Sequence, residues 1–160
     1  ALPGGINYCW DAGQCRLRYA WMGGFVDIGY HKHDGPAKLL GEVFWRADDA
    51  FHFPLAKASS TGLHFAGYRL VDGVPEFEYR MQGAMVRERV DSAEDHSLRV
   101  RYIVTPDAAE GGRSVWTKWS IPEGWELTEG QDYLKQGGAV QLSLKPGASI
   151  TFTMSHPLHP

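Results

Sequence analysis

The clearest candidate for a chemical site in this sequence is a pair of histidines, His31 and His33, separated by one residue. In an extended segment their imidazoles project to the same side. Two imidazole nitrogens are typical ligands of zinc, copper or iron, so the pair indicates a small metal-binding domain or a metalloenzyme. A polar surface loop is the structural alternative. The candidates for a third ligand are Asp27, Asp34, Glu42, His52 and His64.

Aromatic side chains offer a second kind of site, because sugar rings stack on exposed aromatic faces. Trp10 ends a short apolar run, Trp125 follows Pro122-Glu123-Gly124, and Trp116 lies in a run of alternating residues. We therefore predict Trp10, Trp116 and Trp125 as carbohydrate-binding residues. The alternative is that most of the six tryptophans are core residues, since large aromatic side chains dominate the interiors of β-sandwiches.

Paired carboxylates are a third candidate, because glycoside hydrolysis uses two acids about 5–10 Å apart. The acids considered are Asp27, Glu76, Glu78 and Glu88. Their spacing singles out no pair, and no nucleophile elbow, phosphate-binding loop or dinucleotide-binding motif is present. The sequence therefore predicts no catalytic residues and favours a protein that is not an enzyme.

Cys9 and Cys15 flank the turn-forming residues 11–14. Facing residues of an antiparallel hairpin have Cα atoms about 4.5–5.5 Å apart, which overlaps the geometry of a disulfide. A Cys9–Cys15 disulfide and two buried free thiols both fit this pattern. The sequence contains no haem-attachment motif and no four-ligand zinc pattern, so we expect no other cofactor.

The elements that position these residues are short β-strands. In residues 15–21, Cys15, Leu17, Tyr19 and Trp21 alternate with polar or small residues, which predicts one apolar strand face. Gly23-Gly24 then predicts a sharp turn. Further strands are predicted over residues 39–45, 63–70, 76–81, 85–91, 97–104, 114–120, 140–144 and 149–154. The outward positions predict a face of mixed charge, formed by Arg16, Arg18, Glu78, Arg80, Arg87, Glu88, Arg89, Arg99 and Arg101.

Ten or more short strands joined by turns predict an all-β fold, an antiparallel β-sandwich or a jelly-roll-like barrel. We expect residues 1–160 to form a single β-sandwich domain, excised from a larger multidomain protein. The net charge of −3 without a basic run argues against nucleic acid as a partner. No apolar stretch has the length of a membrane span.

Three segments carry a resemblance to a known family: GINYCWDAGQCRLRYAWMGGFVDIG, GPAKLLGEVFW and FAGYRLVDGVPEFEYRMQG. They resemble a β-sandwich accessory domain of large exported bacterial proteins, where it occurs beside c-type cytochrome and sugar-dehydrogenase-like modules. The resemblance implies a periplasmic or extracellular, non-catalytic module that binds glycan or docks to a neighbouring redox domain. It implies no catalytic residues and gives no support to the histidine pair. A metal-binding domain and a structural spacer remain the alternatives.

Overall fold

The structure is a computed structural model. It describes residues 1–27, 37–47, 63–81, 84–93, 97–106, 116–120, 124–131, 133–136, 139–143 and 148–154. A short 3₁₀ turn, Pro3–Gly5, precedes the first strand.

The described residues form twelve β-strands, and the predicted all-β antiparallel sandwich of ten or more strands is confirmed. The strands are β1 (Ile6–Asp11), β2 (Arg16–Asp27), β3 (Lys38–Arg46), β4 (His64–Val71), β5 (Val74–Met81), β6 (Ala84–Ser92), β7 (Leu98–Pro106), β8 (Trp116–Ser120), β9 (Glu126–Gln131), β10 (Tyr133–Gln136), β11 (Ala139–Ser143) and β12 (Ala148–Met154).

A six-stranded sheet in the order β4-β5-β6-β7-β12-β9 forms the larger layer. The strands of this sheet form because apolar and polar residues alternate along them. In β6 every second residue from Ala84 to Val90 is buried, and the residues between them are half-buried. The predicted hairpin at Asp72-Gly73 joins β4 to β5, with both residues at positive φ. Positive φ at two successive turn positions is typical of tight hairpins. We call the buried side of this sheet its inner face and the other side its outer face.

Two three-stranded sheets complete the architecture, in the orders β1-β2-β3 and β10-β11-β8. The apolar core is continuous across the sheets: Ile6, Leu17 and Trp45 come from the first small sheet, and Val140 comes from the second. These residues pack with the inner-face residues of the large sheet in one cluster, which includes Tyr102.

The predicted alternation of β2 is wrong beyond Leu17. Leu17 pairs with Trp10 and Tyr19 pairs with Cys9, so Arg18 is an extra residue opposite a register shift. Such a β-bulge moves the following side chains to the opposite faces of the strand. Leu17 and Ala20 both belong to the core cluster for this reason. Tyr19 points away from the core, and the guanidinium carbon of Arg46 lies 5.1 Å from the centre of its ring.

The predicted turn at Gly23-Gly24 is also wrong, because β2 continues through both glycines to Asp27. An irregularity between Gly23 and Val26 replaces the turn. The indole nitrogen of Trp21 stabilises it by donating to the carbonyl oxygens of Gly24, at 2.9 Å, and Phe25, at 3.2 Å. The close approach of β3 requires glycine at Gly41: a Cβ there would overlap the Met22 carbonyl and lie 2.8 Å from the Trp21 ring.

Cys9 and Cys15 are free thiols and do not face each other across the hairpin. Cys9 faces Tyr19 across the β1–β2 pair, whereas Cys15 lies in the turn at φ 46°. The Cys15 side chain belongs to the core cluster and its Sγ lies 3.6 Å from the Ala12 carbonyl oxygen. The structure therefore matches the alternative of two free thiols.

Two residues predicted on the charged outward face are buried. Arg16 is 4% exposed and Glu88 is 1% exposed. Glu88 lies in phase with Val86 and Val90, both fully buried, so alternation places its carboxyl in the core. Arg16 begins β2 directly after Cys15, which is also buried.

Replacing Gly41 with alanine tests the close approach of β2 and β3. We expect Gly41→Ala to lower the free energy of unfolding by about 3 kcal/mol, because the new methyl group must displace backbone or the Trp21 ring. Urea unfolding followed by tryptophan fluorescence measures this loss. Gly13→Ala is the control: Gly13 lies in an exposed turn where the added methyl would meet only the Asp11 carboxylate, at 3.3 Å. Equal free energies of unfolding for the two variants would contradict the close approach of β2 and β3 at Gly41.

Candidate functional site

The predicted metal pair, His31 and His33, lies outside the described residues, as do Asp34 and His52. The remaining candidate ligands lie on different strands: Asp27 ends β2, Glu42 lies in β3, and His64 begins β4. Within the described ranges, no group of three His, Cys, Asp or Glu side chains could hold a metal ion. The metal site therefore stays a prediction.

Two of the three predicted sugar-binding tryptophans are described, and both are core-facing. Trp125 is 7% exposed and packs edge-on against Trp45, with ring centres 5.4 Å apart. Trp10 is half-buried, and the ring of Phe77 stacks on one of its faces at 4.0 Å. Neither indole is the open platform that was predicted, because packing between the layers covers it. Trp116 pairs with Ser143 through its backbone, and its side chain lies outside the described residues.

The predicted carboxylates do not come together as a catalytic pair. Glu76 and Glu78 share the outer face of β5, and both lie within 4.0 Å of the Arg69 guanidinium. Glu88 lies on the inner face of β6, on the opposite side of the same sheet. Asp27 ends a strand of another sheet. Since hydrolysis needs two acids around one substrate, this placement offers no pair for it.

The most distinctive arrangement of side chains surrounds Glu88, at the midpoint of β6. Its Oε1 accepts a 2.9 Å hydrogen bond from the indole nitrogen of Trp10, on β1. Its Oε2 accepts a 3.0 Å hydrogen bond from the hydroxyl of Tyr79, on β5, and the hydroxyl of Tyr102, on β7, bonds to the same carboxyl. We call Glu88, Trp10, Tyr79 and Tyr102 the Glu88 cage. It joins the small β1-β2-β3 sheet to the large sheet.

Burial sets the ionisation of the Glu88 cage. Loss of hydration raises the pKa of Glu88 from 4.5 to about 7, although the three donors favour the charged form and lower it. Burial, followed by the charge of Glu88, also raises the pKa of Cys15 to about 11 and that of Tyr8 to about 12. Tyrosine hydroxyls can both donate and accept hydrogen bonds, so the cage can hold the carboxyl with or without its proton.

Sequence reasoning missed the Glu88 cage, although one signal was available. Val86, Glu88 and Val90 share one strand face, and an acid between two valines in phase indicates a buried carboxyl. The hydrogen bond from Trp10 had no such signal. It joins residues 78 positions apart in the chain. It also depends on the β2 bulge at Arg18, which pairs Trp10 with the core residue Leu17.

The outer face of the large sheet carries ion pairs across its strands. Glu76 accepts a 2.9 Å hydrogen bond from the Arg69 Nε, and the Arg87 guanidinium lies 3.8 Å from the same carboxylate. Asp91 likewise accepts a 2.9 Å hydrogen bond from Arg99 and lies 3.4 Å from Arg89. Cross-strand pairs of opposite charge stabilise a solvated sheet face only modestly.

A polar cleft opens on this outer face, over strands β7, β12 and β9. Its volume is about 390 Å³, within the range of small-molecule sites. Arg101 and Glu129 lie across it, with 3.9 Å between guanidinium and carboxylate. The cleft is lined by Arg101, Ile103, Glu129, Gly130, Gln131, Ser149 and Thr151. Sequence reasoning missed it because the polar stretch that forms β9 showed no strand pattern.

An apolar ledge extends from the inner face at the β4 end of the large sheet. Tyr68 and Leu70 are each 65% exposed, and both lie on the inner side because they pair with Phe77 and Pro75. The rings of Tyr68 and Phe77 are 6.5 Å apart. We call Tyr68, Leu70 and Phe77 the apolar ledge. It continues the core surface at the edge of the described sheet.

No family model, curated protein or solved structure matches this chain. Among the described residues, no helix has the length and apolar character needed to cross a lipid bilayer.

The Glu88 cage predicts a pH-dependent stability. Because the pKa of Glu88 is higher in the folded chain, its contribution is complete below about pH 4.5 and is lost as the pH rises through about 7. We expect the free energy of unfolding of the wild type, relative to Glu88→Gln, to fall by about 3 kcal/mol over this range. Urea unfolding at a series of pH values measures it. Parallel pH profiles of the two proteins would contradict the raised pKa.

Proposed function

We propose that this domain is a non-catalytic binding module and that it binds glycan in the polar cleft of β7, β12 and β9. One observation carries the proposal: a cleft of about 390 Å³ lined mainly by polar side chains on an otherwise regular sheet face. The resemblance to an accessory domain of exported bacterial proteins also supports this role. The location we propose, periplasmic or extracellular, rests on that resemblance alone.

The chemistry of the lining favours a polyhydroxylated ligand. Each sugar hydroxyl both donates and accepts hydrogen bonds, and Gln131, Ser149 and Thr151 can do the same. Arg101 adds donors and Glu129 adds acceptors, and their charges cancel within the cleft. A neutral polar surface disfavours a phosphate-rich partner such as nucleic acid, which needs concentrated positive charge. Ile103 offers an apolar contact for the C–H face of a sugar ring.

A binding role fits the cleft better than hydrolysis. Among the described residues that line it, one carboxylate is present, Glu129, whereas glycoside hydrolysis uses two. Glu88 has the raised pKa expected of a general acid, but it is 1% exposed and faces the core. A group that transfers a proton to a substrate must come within hydrogen-bonding distance of it.

Variants of the cleft test this function. Retention on a panel of insoluble neutral and acidic polysaccharides identifies the ligand, and calorimetry with a soluble fragment gives the affinity. We expect Arg101→Ala and Gln131→Ala each to weaken binding roughly tenfold or more, because a hydrogen bond involving a charged or buried polar group contributes about 1.5–3 kcal/mol.

Arg99→Ala is the matched control. Arg99 lies two residues from Arg101 on the same face of β7, is similarly exposed, and does not line the cleft. We expect its affinity to equal that of the wild type. No retention of the wild type, or an equal loss in all three variants, would contradict glycan binding in the cleft.

Docking to a neighbouring domain is the second candidate, and the apolar ledge favours it. Tyr68 and Leu70 extend the core surface into solvent at the edge strand of the described sheet. A neighbour that covers them would bury apolar area, which is a main driving force for association. The resemblance implies that this neighbour is a cytochrome c-like redox domain.

Hydrogen–deuterium exchange tests the docking candidate by comparing this chain alone with the longer protein from which we expect it was excised. We expect slower exchange of the β4 amides in the longer protein, and restoration of the faster exchange by the double variant Tyr68→Ser/Leu70→Ser. His64→Ser is the control, since His64 is exposed on the other side of β4, opposite Arg80. Unchanged exchange at β4 would contradict docking there.

A metal site at His31 and His33 and a purely structural spacer remain alternatives. The metal alternative predicts copper, zinc or iron in the purified protein and loss of that metal in His31→Ala. The spacer alternative predicts no ligand in any of these experiments.

A further inference from the structure

The two ends of β1 are held in different ways. Several contacts hold its N-terminal end: Ile6 is fully buried, and the side chain of Asn7 donates hydrogen bonds to the carbonyl oxygens of Gly5 and Gly23. Ser92, at the end of β6, donates a 3.1 Å hydrogen bond to the Pro3 carbonyl oxygen just before the strand. These contacts connect the start of β1 to both layers of the sandwich.

The other end of β1 contacts the large sheet through Trp10 and the Glu88 cage. Trp10 stacks on Phe77 and donates its indole hydrogen to Glu88. Residues 12–14 of the turn that follows are exposed, and the Asp11 carboxylate accepts from the backbone nitrogens of Gly13 and Gln14. The side chain of Arg18, on β2, donates a 3.0 Å hydrogen bond to Gln14. Among the described strands, β1 is an edge strand of the small sheet and pairs with β2 alone. This end is therefore the part of the strand that can separate from the core without breaking the anchored end.

We propose that residues 10–15, the end of β1 and the turn after it, form a flap over Glu88 that opens more readily when this carboxyl loses its proton. With its proton, Glu88 is a neutral group whose hydrogen bonds are met inside the cage. Without it, a full charge is kept from water, which costs far more free energy than burying the neutral form. Opening the flap admits water to the charge and relieves this cost.

Burial and the hydrogen-bond donors act on the charge of Glu88 in opposite directions. Tyr79 and Tyr102 from the large sheet donate to the carboxyl, as does Trp10, and these bonds strengthen when Glu88 is charged. The pKa of Glu88 is nevertheless raised to about 7, so burial outweighs the three donors. Tyr8, just before the flap, and Cys15, on the flap, both feel the charge of Glu88, and Asp11 adds further negative charge beside Cys15. Arg16, buried directly after Cys15, is the charged residue where the flap meets β2.

Cys15 gives a direct measure of flap opening, because this residue is 4% exposed and its side chain belongs to the core cluster. In a Cys9→Ser background, the rate of reaction with a dipyridyl disulfide is divided by the rate for the unfolded chain at the same pH. This ratio is the fraction of molecules that are open. We expect it to rise roughly tenfold for each pH unit between about 5 and 7 and to level off above 7.

Glu88→Gln is the matched variant, since it keeps the shape of the side chain and removes its titration. We expect its open fraction not to change with pH. A flat profile in the wild type, or an equal rise in Glu88→Gln, would overturn the proposal. Urea unfolding at each pH gives the fraction of globally unfolded molecules, and an open fraction equal to that value would also overturn it.

Trp10→Phe keeps the test decisive if Glu88→Gln does not fold. Phenylalanine preserves an aromatic ring on Phe77 but removes the indole donor that lowers the pKa of Glu88. We expect a larger open fraction at every pH, and we expect this fraction to level off at a higher pH than in the wild type. An open fraction that levels off at the same pH as in the wild type would show that Glu88 does not govern the opening.

Discussion

A carboxyl group buried between two β-sheets needs hydrogen-bond donors, and meeting that need organises the centre of this fold. Glu88 receives donors from both layers: Trp10 from the small sheet, and Tyr79 and Tyr102 from the large one. The bulge that includes Arg18 sets the register that lets Trp10 and Leu17 both face the core. An apolar residue at position 88 would fill the same space but would not require this one arrangement of the two layers. We infer that the buried acid contributes specificity of packing at a cost in stability.

The two faces of the large sheet have different roles. The inner face holds the core, the Glu88 cage and, beyond the cover of the small sheet, the apolar ledge. The outer face carries charged side chains in pairs, except where β9 adds polar residues and the cleft forms. One strand serves both faces at once: in β7, Tyr102 bonds to Glu88 on the inside while Arg101 lines the cleft on the outside. Alternation along a strand separates these tasks by a single residue.

Much of the fold could be predicted from the sequence, because its strands alternate and its hairpins use recognisable turn residues. Asp72-Gly73 and the run from Ala84 to Ser92 are the clearest cases. The predictions of individual strands were wrong where the local sequence pattern and the long-range strand pairing disagree. An extra residue at Arg18 reversed the faces of β2, and close packing on Gly41 replaced the expected turn at Gly23-Gly24. The candidate sites were harder, since neither the cage nor the cleft is made by neighbours in sequence.

The position of Arg69 has a consequence for the behaviour of the protein in concentrated solution. It lies between Tyr68 and Leu70 on β4, which is an edge strand among the described strands and presents apolar side chains to its surroundings. Such an edge is a template for pairing between molecules. Arg69 is half-exposed on the outer face, where it pairs with Glu76 and Glu78, and the bulge between Phe65 and Gly67 interrupts the strand beside it. We infer that this charged side chain and the bulge disfavour pairing of the edge with a second molecule, an effect that is separate from any ligand the domain binds.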